Sequence, residues 1–118
     1  MVNPLPNPIK IGKLGELIAQ LRLLELDVQA APPLSDTGND LIGVKGRVMK
    51  SIQIKTTTNK SREKCTRKCD LIIYVDLKLD DDQFIDWRET KLSIRKENDT
   101  DGSSELSLNM SAVNQYWG

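Results

Sequence analysis

One stretch constrains this chain more than any other: Asp36-Thr-Gly-Asn-Asp-Leu-Ile-Gly-Val-Lys-Gly-Arg-Val-Met-Lys-Ser-Ile-Gln-Ile-Lys-Thr-Thr-Thr58. Leu41, Ile42 and Val44 form a short apolar run, Lys45-Gly46 offers a two-residue turn with Gly supplying the positive φ, and Val48, Met49, Ile52 and Ile54 continue beyond it. That is the pattern of a β-hairpin. With Lys45 and Gly46 as the turn, Val44 faces Arg47 and Asp40 falls opposite Ser51. Side chains alternate along a strand, so Asp40, Ser51, Gln53 and Lys55 share one face while Ile52 and Ile54 point the other way. The register decides this, because a slip of one residue moves Asp40 to the opposite face.

The flanking sequence supplies the elements that such a hairpin needs to pack against. Prolines 4, 6 and 8 keep the first residues extended, and helical periodicity runs from about Ile11 to Leu26. Leu14, Leu17, Ile18, Leu21 and Leu24 fall on one face at spacings of three and four, which predicts the core-facing stripe. A narrower stripe of Glu16, Ala19, Leu23 and Leu26 lies on roughly the opposite side, so the helix is expected to be covered from two directions. Glu16 leads that second stripe at the N-terminal end, where the helix dipole favours a carboxylate. Leu26 to Ala31 reads as a first strand ended by Pro32-Pro33, and residues 34 to 39 as a turn-rich loop. Thr56 to Lys68 is polar and basic. Asp70-Leu-Ile-Ile-Tyr-Val-Asp76 is a continuous apolar run, the mark of a buried strand. Phe84 to Trp87 and Lys91 to Arg95 predict short strands, Glu97 to Glu105 a mobile acidic loop, and Met110 to Trp117 a closing helix or edge segment.

At 118 residues the chain has room for one domain with a real core, spanning residues 1–118, and the expected class is α/β or α+β. Nothing approaches ~18 consecutive apolar residues, so no membrane span is expected. The proline-interrupted N-terminus lacks an apolar signal core, and a cytoplasmic address follows by default. The 17 acids and 17 bases cancel overall, but Lys45 to Lys68 holds nine bases against the single acid Glu63, a local charge of +8. Such a block suits a polyanion, since each base brought to a phosphate releases counterions; a solvated loop is the alternative. There is no histidine, which removes Ser-His-Asp and Cys-His catalysis and mixed Cys/His zinc sites. Cys65 and Cys69 cannot complete a zinc tetrahedron alone, and read as ordinary thiols. Trp87, Tyr116 and Trp117 are expected in the core rather than against nucleic-acid bases.

Three pieces in order, Lys13-Leu-Gly-Glu-Leu-Ile-Ala19 on the helix, Gly38-Asn-Asp-Leu-Ile42 on the first hairpin arm and Gln53-Ile-Lys-Thr-Thr57 on the second, resemble the PD-(D/E)XK superfamily of restriction-like nucleases. Archaeal Holliday-junction resolvases and certain homing endonucleases belong to it. The resemblance covers about Lys13 to Asp76. It implies a restriction-endonuclease-like core, a mixed sheet with a hairpin-borne active site and flanking helices, that hydrolyses DNA phosphodiester bonds with Mg²⁺ or Mn²⁺.

In that family picture Asp40 is the principal metal-binding carboxylate, Glu16 reaches the ion from the helix, and Gln53 is a neutral oxygen ligand where many relatives carry an acid. Lys55 orients the attacking water and offsets charge on the scissile phosphate. Leu34-Ser35-Asp36 departs from the family's Pro-Asp pair, and Asp36 is either a supporting ligand or a turn former, the turn being the preferred reading. Lys50, Lys60, Arg62, Lys64, Arg67 and Lys68 are the expected phosphate contacts. A domain this small offers limited DNA-contacting surface, so a homodimer is expected. The alternatives are a catalytically inactive relative that binds nucleic acid or a protein, and a plain interaction protein.

Overall fold

The computed structural model describes residues 7–33, 40–59, 69–99 and 102–118. The order is α1 (Asn7–Glu25), β1 (Gln29–Ala31), β2 (Leu41–Lys45), β3 (Val48–Thr57), β4 (Leu71–Asp76), β5 (Lys91–Lys96), β6 (Leu106–Ser107) and α2 (Met110–Trp117). The strands form one mixed sheet in sequence order, β1 to β6. Every neighbouring pair is antiparallel except β3 and β4, which run parallel. A parallel pair cannot be joined by a tight turn, and β4 accordingly starts at Leu71, level with Ile52, at the opposite end of their pairing from Thr57. Residues 60–68, between the two strands, lie outside the described residues. The described residues form an α+β fold with a six-stranded mixed sheet and two helices.

The core fills one face of that sheet. Leu41, Ile52, Ile54, Leu71, Ile73, Val75 and Ile94 point to it and meet Ile18, Ala19 and Leu23 of α1 with Val113, Tyr116 and Trp117 of α2. The Trp117 indole Nε1 donates to the Gly43 carbonyl at 3.0 Å, tying the closing helix to the hairpin. Asn109 caps α2 by accepting from the Ala112 amide at 3.0 Å, as an Asn at that position does. On the opposite face Ile72 and Tyr74 are fully buried, and the Arg95 guanidinium lies 5.3 Å from the Tyr74 ring centroid, a cation–π distance.

α1 turns a different side to the core than its richest leucine stripe suggests. Leu17, Leu21 and Leu24 are 60%, 51% and 61% exposed, whereas Ala19 and Leu23 of the narrower stripe are wholly buried. Closeness of approach decides this. Gly15 rests directly on Thr56 of β3, so that a Cβ placed there overlaps the Thr56 side chain. With Ala19 one turn further on, only this side of the helix lets the backbone come down onto the sheet, and bulk gives way to fit. The helix ends in a Schellman motif: Val28 N–H donates to the Leu23 carbonyl at 2.8 Å and Asp27 N–H to Leu24 at 3.0 Å, with Asp27 at φ 66°. Val28 and Leu23 close the motif's apolar contact inside the core.

The hairpin forms with a different turn from that expected. Lys45 pairs with Val48, so the turn residues are Gly46 and Arg47, with Gly46 at φ 62°. A type II′ turn reserves that first central position for Gly. Leu41 then faces Ile52, and Asp40 comes level with Gln53 instead of Ser51. Phe84 to Trp87 is likewise not a strand: a single bridge joins Leu79 to Ile85, and the Asp80 carboxylate holds the turn by accepting from the Asp82 and Phe84 amides at 2.9 and 3.0 Å. Trp87 is 59% exposed there, while Tyr116 and Trp117 occupy the core as expected. Asp99, in the segment read as mobile, accepts from the Ser104 amide and hydroxyl, both at 2.6 Å.

Candidate active site

The difference in length between two strands makes the site. β3 has 10 residues and β2 has 5, and their pairing ends at Leu41 and Ile52. Beyond Ile52, β3 keeps β4 on one side and, among the described residues, has no strand neighbour on the other. Asp40 occupies the point where β2 gives out. Its N–H donates to the Ile52 carbonyl at 3.1 Å, and its carboxylate Oδ2 accepts from the Ile54 N–H at 2.7 Å. A side-chain oxygen thus stands where the next carbonyl of a longer β2 would be. A residue in an antiparallel ladder points its N–H and C=O to the same side, so the Ile54 carbonyl opens onto the same unpaired edge.

α1 closes this edge from the core-facing side. Its N-terminal half contributes Ile11, Gly12, Lys13 and Glu16 to an open cleft of about 390 Å³ whose other wall is Asp40, Ile54 and Thr56. The close seating of Gly15 on Thr56 holds Glu16 at the mouth. The two acids predicted from separate elements are therefore brought to one concavity, both half-buried. Gln53 and Lys55 are placed otherwise. They alternate with Ile54, so they lie on the opposite face of β3, level with Ile72 and Tyr74 of β4. Gln53 is buried and Lys55 half-buried. The four residues surround one strand edge from two faces, instead of sharing the single surface expected from the sequence. Asp40 leaves that surface because it sits at a bend before β2, with its carboxylate turned into the plane of the ladder.

Lys13 and Thr56 line the cleft without having been singled out. Lys13 was legible: it lies three residues before Glu16, hence on the same side of a helix. Lys50 lies four residues before Ile54 on β3 and borders a different hollow with Cys69, Asp70 and Lys96. Lys60, Arg62, Lys64, Arg67 and Lys68 fall outside the described residues, as do Asp36 and Cys65; Cys69 is half-buried.

Two carboxylates and a main-chain carbonyl are hard oxygen donors of the kind Mg²⁺ takes, usually with several waters completing the shell. Among the described residues no three acidic or thiol side chains converge, so the fit is to an ion held by one or two carboxylates rather than by a full protein cage. A second hollow, lined by Asp76, Glu89, Lys78 and Thr57, also carries two acids. Comparison with protein-family models, with curated proteins and with solved structures finds no match to this chain. No helix among the described residues is long and apolar enough to cross a membrane.

Proposed function

We propose that this chain is a metal-dependent endonuclease of the PD-(D/E)XK type, with a restriction-endonuclease-like core, cutting DNA phosphodiester bonds in the cytoplasm. The observation that carries the reading is the Asp40 carboxylate at the end of β2, bonded to the Ile54 N–H at 2.7 Å and sharing its cleft with Glu16. An acid fixed by a backbone amide beside a bare strand edge is preorganised for a hard cation and for the phosphate that accompanies it. Asp40 and Glu16 are the residues that would hold Mg²⁺ or Mn²⁺, with the Ile54 carbonyl as a neutral oxygen, while Gln53, buried on the far face of β3, lies away from this cleft. When bound, such an ion polarises the phosphate and lowers the pKa of an attacking water.

The chain's own groups do the rest. Lys13, at the rim of the cleft, offers a cation to a phosphate oxygen. Lys55, half-buried on the other face of β3, serves this reading by extending its four-carbon stem past the strand edge, to orient water and offset charge on the phosphate. Lys50 and the basic residues from Lys60 to Lys68 track the flanking backbone by counterion release. A homodimer belongs to the same reading, since two clefts are needed to cut both strands of a duplex.

The test is cleavage of duplex, branched and single-stranded DNA in Mg²⁺ or Mn²⁺, with Asp40→Asn and Lys55→Ala alongside. The expected result is cation-dependent cleavage by the natural chain, lost in both variants, with DNA binding retained. The second reading, a relative that binds nucleic acid or protein without cutting, is favoured by the neutral Gln53 lying buried on the far face of β3. Salt-dependent DNA binding with no cleavage on any substrate establishes it, and absence of both leaves an interaction protein.

A further inference from the structure

We propose that the hollow between Trp87, Arg22 and the start of β5 is a site for an unpaired nucleobase of single-stranded DNA, stacked on the Trp87 indole. The inference deepens the nuclease reading and rests on it for the choice of substrate. Tyr74, Tyr116 and Trp117 are buried, whereas Trp87 is 59% exposed. A well-tied turn holds it out. Asp86 Oδ1 accepts from the Arg88 and Glu89 amides at 3.1 and 3.3 Å, the Thr90 N–H donates to the Asp86 carbonyl at 3.0 Å, and the Asp86 N–H donates to the Lys78 carbonyl at 2.8 Å. Thr90 Oγ1 in turn accepts from the Lys78 N–H at 3.1 Å. An indole carried on such a turn loses little freedom when a base settles on it.

The hollow beside the indole has the size and charge for the rest of a nucleotide. At about 450 Å³ it falls within the ~300–1,000 Å³ of small-molecule sites. Arg22, Lys91 and Asn109 share its wall with Trp87, and Asp76 is the one acid among its described lining residues, which leaves the wall net positive. Both cations keep donors to spare. Arg22 gives its Nε–H to Glu25 at 3.1 Å and Lys91 donates to the Arg88 carbonyl at 3.1 Å, a part of what a guanidinium and an ammonium carry. Position agrees with this. Lys55 lies level with Tyr74 and Tyr74 with Ser93, so Ser93, on the wall of the hollow, stands two strand spacings, about 10 Å, from Lys55. A DNA strand with a phosphate at the candidate cleft therefore brings a nearby base to Trp87. Every base has a π-face to offer an indole, but a base within a duplex already stacks on its neighbours. That selects unpaired DNA.

The test uses the full chain without divalent cations, which separates binding from cleavage. A labelled thymidine oligonucleotide of about eight residues, within the ~4–16 that small single-strand-binding domains cover, is titrated by fluorescence anisotropy beside an abasic oligomer with the same number of phosphates. The natural chain is expected to bind the base-bearing oligomer about tenfold more tightly than the abasic one, and Trp87→Ala to remove that preference, the effect of one lost stack. Trp87→Phe keeps the preference to within about threefold, since a smaller aromatic face remains. Lys91→Gln flattens the log–log salt slope by about 0.7, one phosphate contact on a single strand. Thermal melts confirm that the variants fold. Equal affinity for base-bearing and abasic oligomers, or a preference that survives Trp87→Ala, overturns the proposal. Thymidine monophosphate binding as tightly as the oligomer also overturns it, by assigning the hollow to a free nucleotide. A Trp87-dependent preference without cleavage in Mg²⁺ upholds the stack and removes the nuclease, and cleavage without the preference does the reverse.

Discussion

Replacing Asp40 separates the structural part of its role from the chemical part. Its carboxylate accepts from the Ile54 N–H at 2.7 Å, in a half-buried position with no strand beside it to substitute. Asp40→Ala strands that donor, and the loss of a charged acceptor to a partly shielded amide costs about 2 kcal/mol. At ~2.1 cal/mol/K per residue, a chain of 118 residues has an unfolding entropy of roughly 0.25 kcal/mol/K, so the melting temperature falls by about 8 °C. Asp40→Asn keeps an oxygen acceptor of nearly the same shape and loses only the charge. Its cost is about 1 kcal/mol or less, a fall of at most ~4 °C. Thermal unfolding followed by circular dichroism measures both. Cleavage in Mg²⁺ is expected to vanish in both, because neither variant supplies a carboxylate to the cation. An Asp40→Ala protein that melts within ~2 °C of the natural chain refutes the strand-completing role, and an Asp40→Asn protein that still cleaves DNA refutes the metal-binding one.

The orientation of α1 makes a sharp pair of predictions: Leu23→Ala, at a fully buried site, destabilises by about 2–5 kcal/mol in urea unfolding, while Leu24→Ala one residue on stays within ~0.5 kcal/mol. Gly15→Ala forces the helix off Thr56, and its expected cost is about 1–3 kcal/mol despite the gain in helix propensity; Thr56→Gly in the same chain removes the overlap and recovers part of it, as a double-mutant cycle reads. DNA affinity measured by fluorescence anisotropy falls steeply as salt rises, and converting Lys60, Arg62 and Lys64 together to Gln flattens the log–log slope by roughly 2–3. Glu16→Gln raises the Mg²⁺ concentration needed for half-maximal cleavage by about tenfold while leaving the melting temperature within ~2 °C, since among the described contacts the carboxylate bonds to no backbone group.

Much of the fold could be read before the structure, and the limits of that reading have specific causes. β4 announces itself because a strand buried on both faces is apolar throughout, and Leu71 to Val75 leaves no other assignment. α1 was legible as a helix but not in its rotation. Its two stripes compete, hydrophobicity favours Leu17, Leu21 and Leu24, and the deciding contact between Gly15 and Thr56 joins residues 41 positions apart. The hairpin was legible as a hairpin, yet Gly46 serves equally as second or first residue of a two-residue turn. Only the pairing of Lys45 with Val48 resolves that choice. The resulting shift moves Asp40 by two places along its partner, from Ser51 to Gln53. An even shift preserves the faces of a strand, so the error in register by itself changed no face.

What separated the expected site from the observed one was the bend at Asp40, not the register. A residue inside β2 must send its side chain to one face or the other. A residue just outside it can turn the carboxylate into the ladder, and Asp40 does so because Ile54 offers an N–H that no described strand takes. The same act blunts the exposed edge of β3, which otherwise presents unpaired amides for adventitious pairing, in a cleft that Asp40 and Ile54 share with Glu16. Edge protection and cation binding are therefore alternative uses of one geometry, and they differ in what they demand of the helix. Edge protection needs only an acceptor at position 40 and is indifferent to Glu16. Cation binding needs the second charge across the cleft, so a calorimetric titration in which Glu16→Gln and Asp40→Asn each weaken Mn²⁺ binding supports the site. Mn²⁺ affinity unchanged by Glu16→Gln reduces Asp40 to a strand cap.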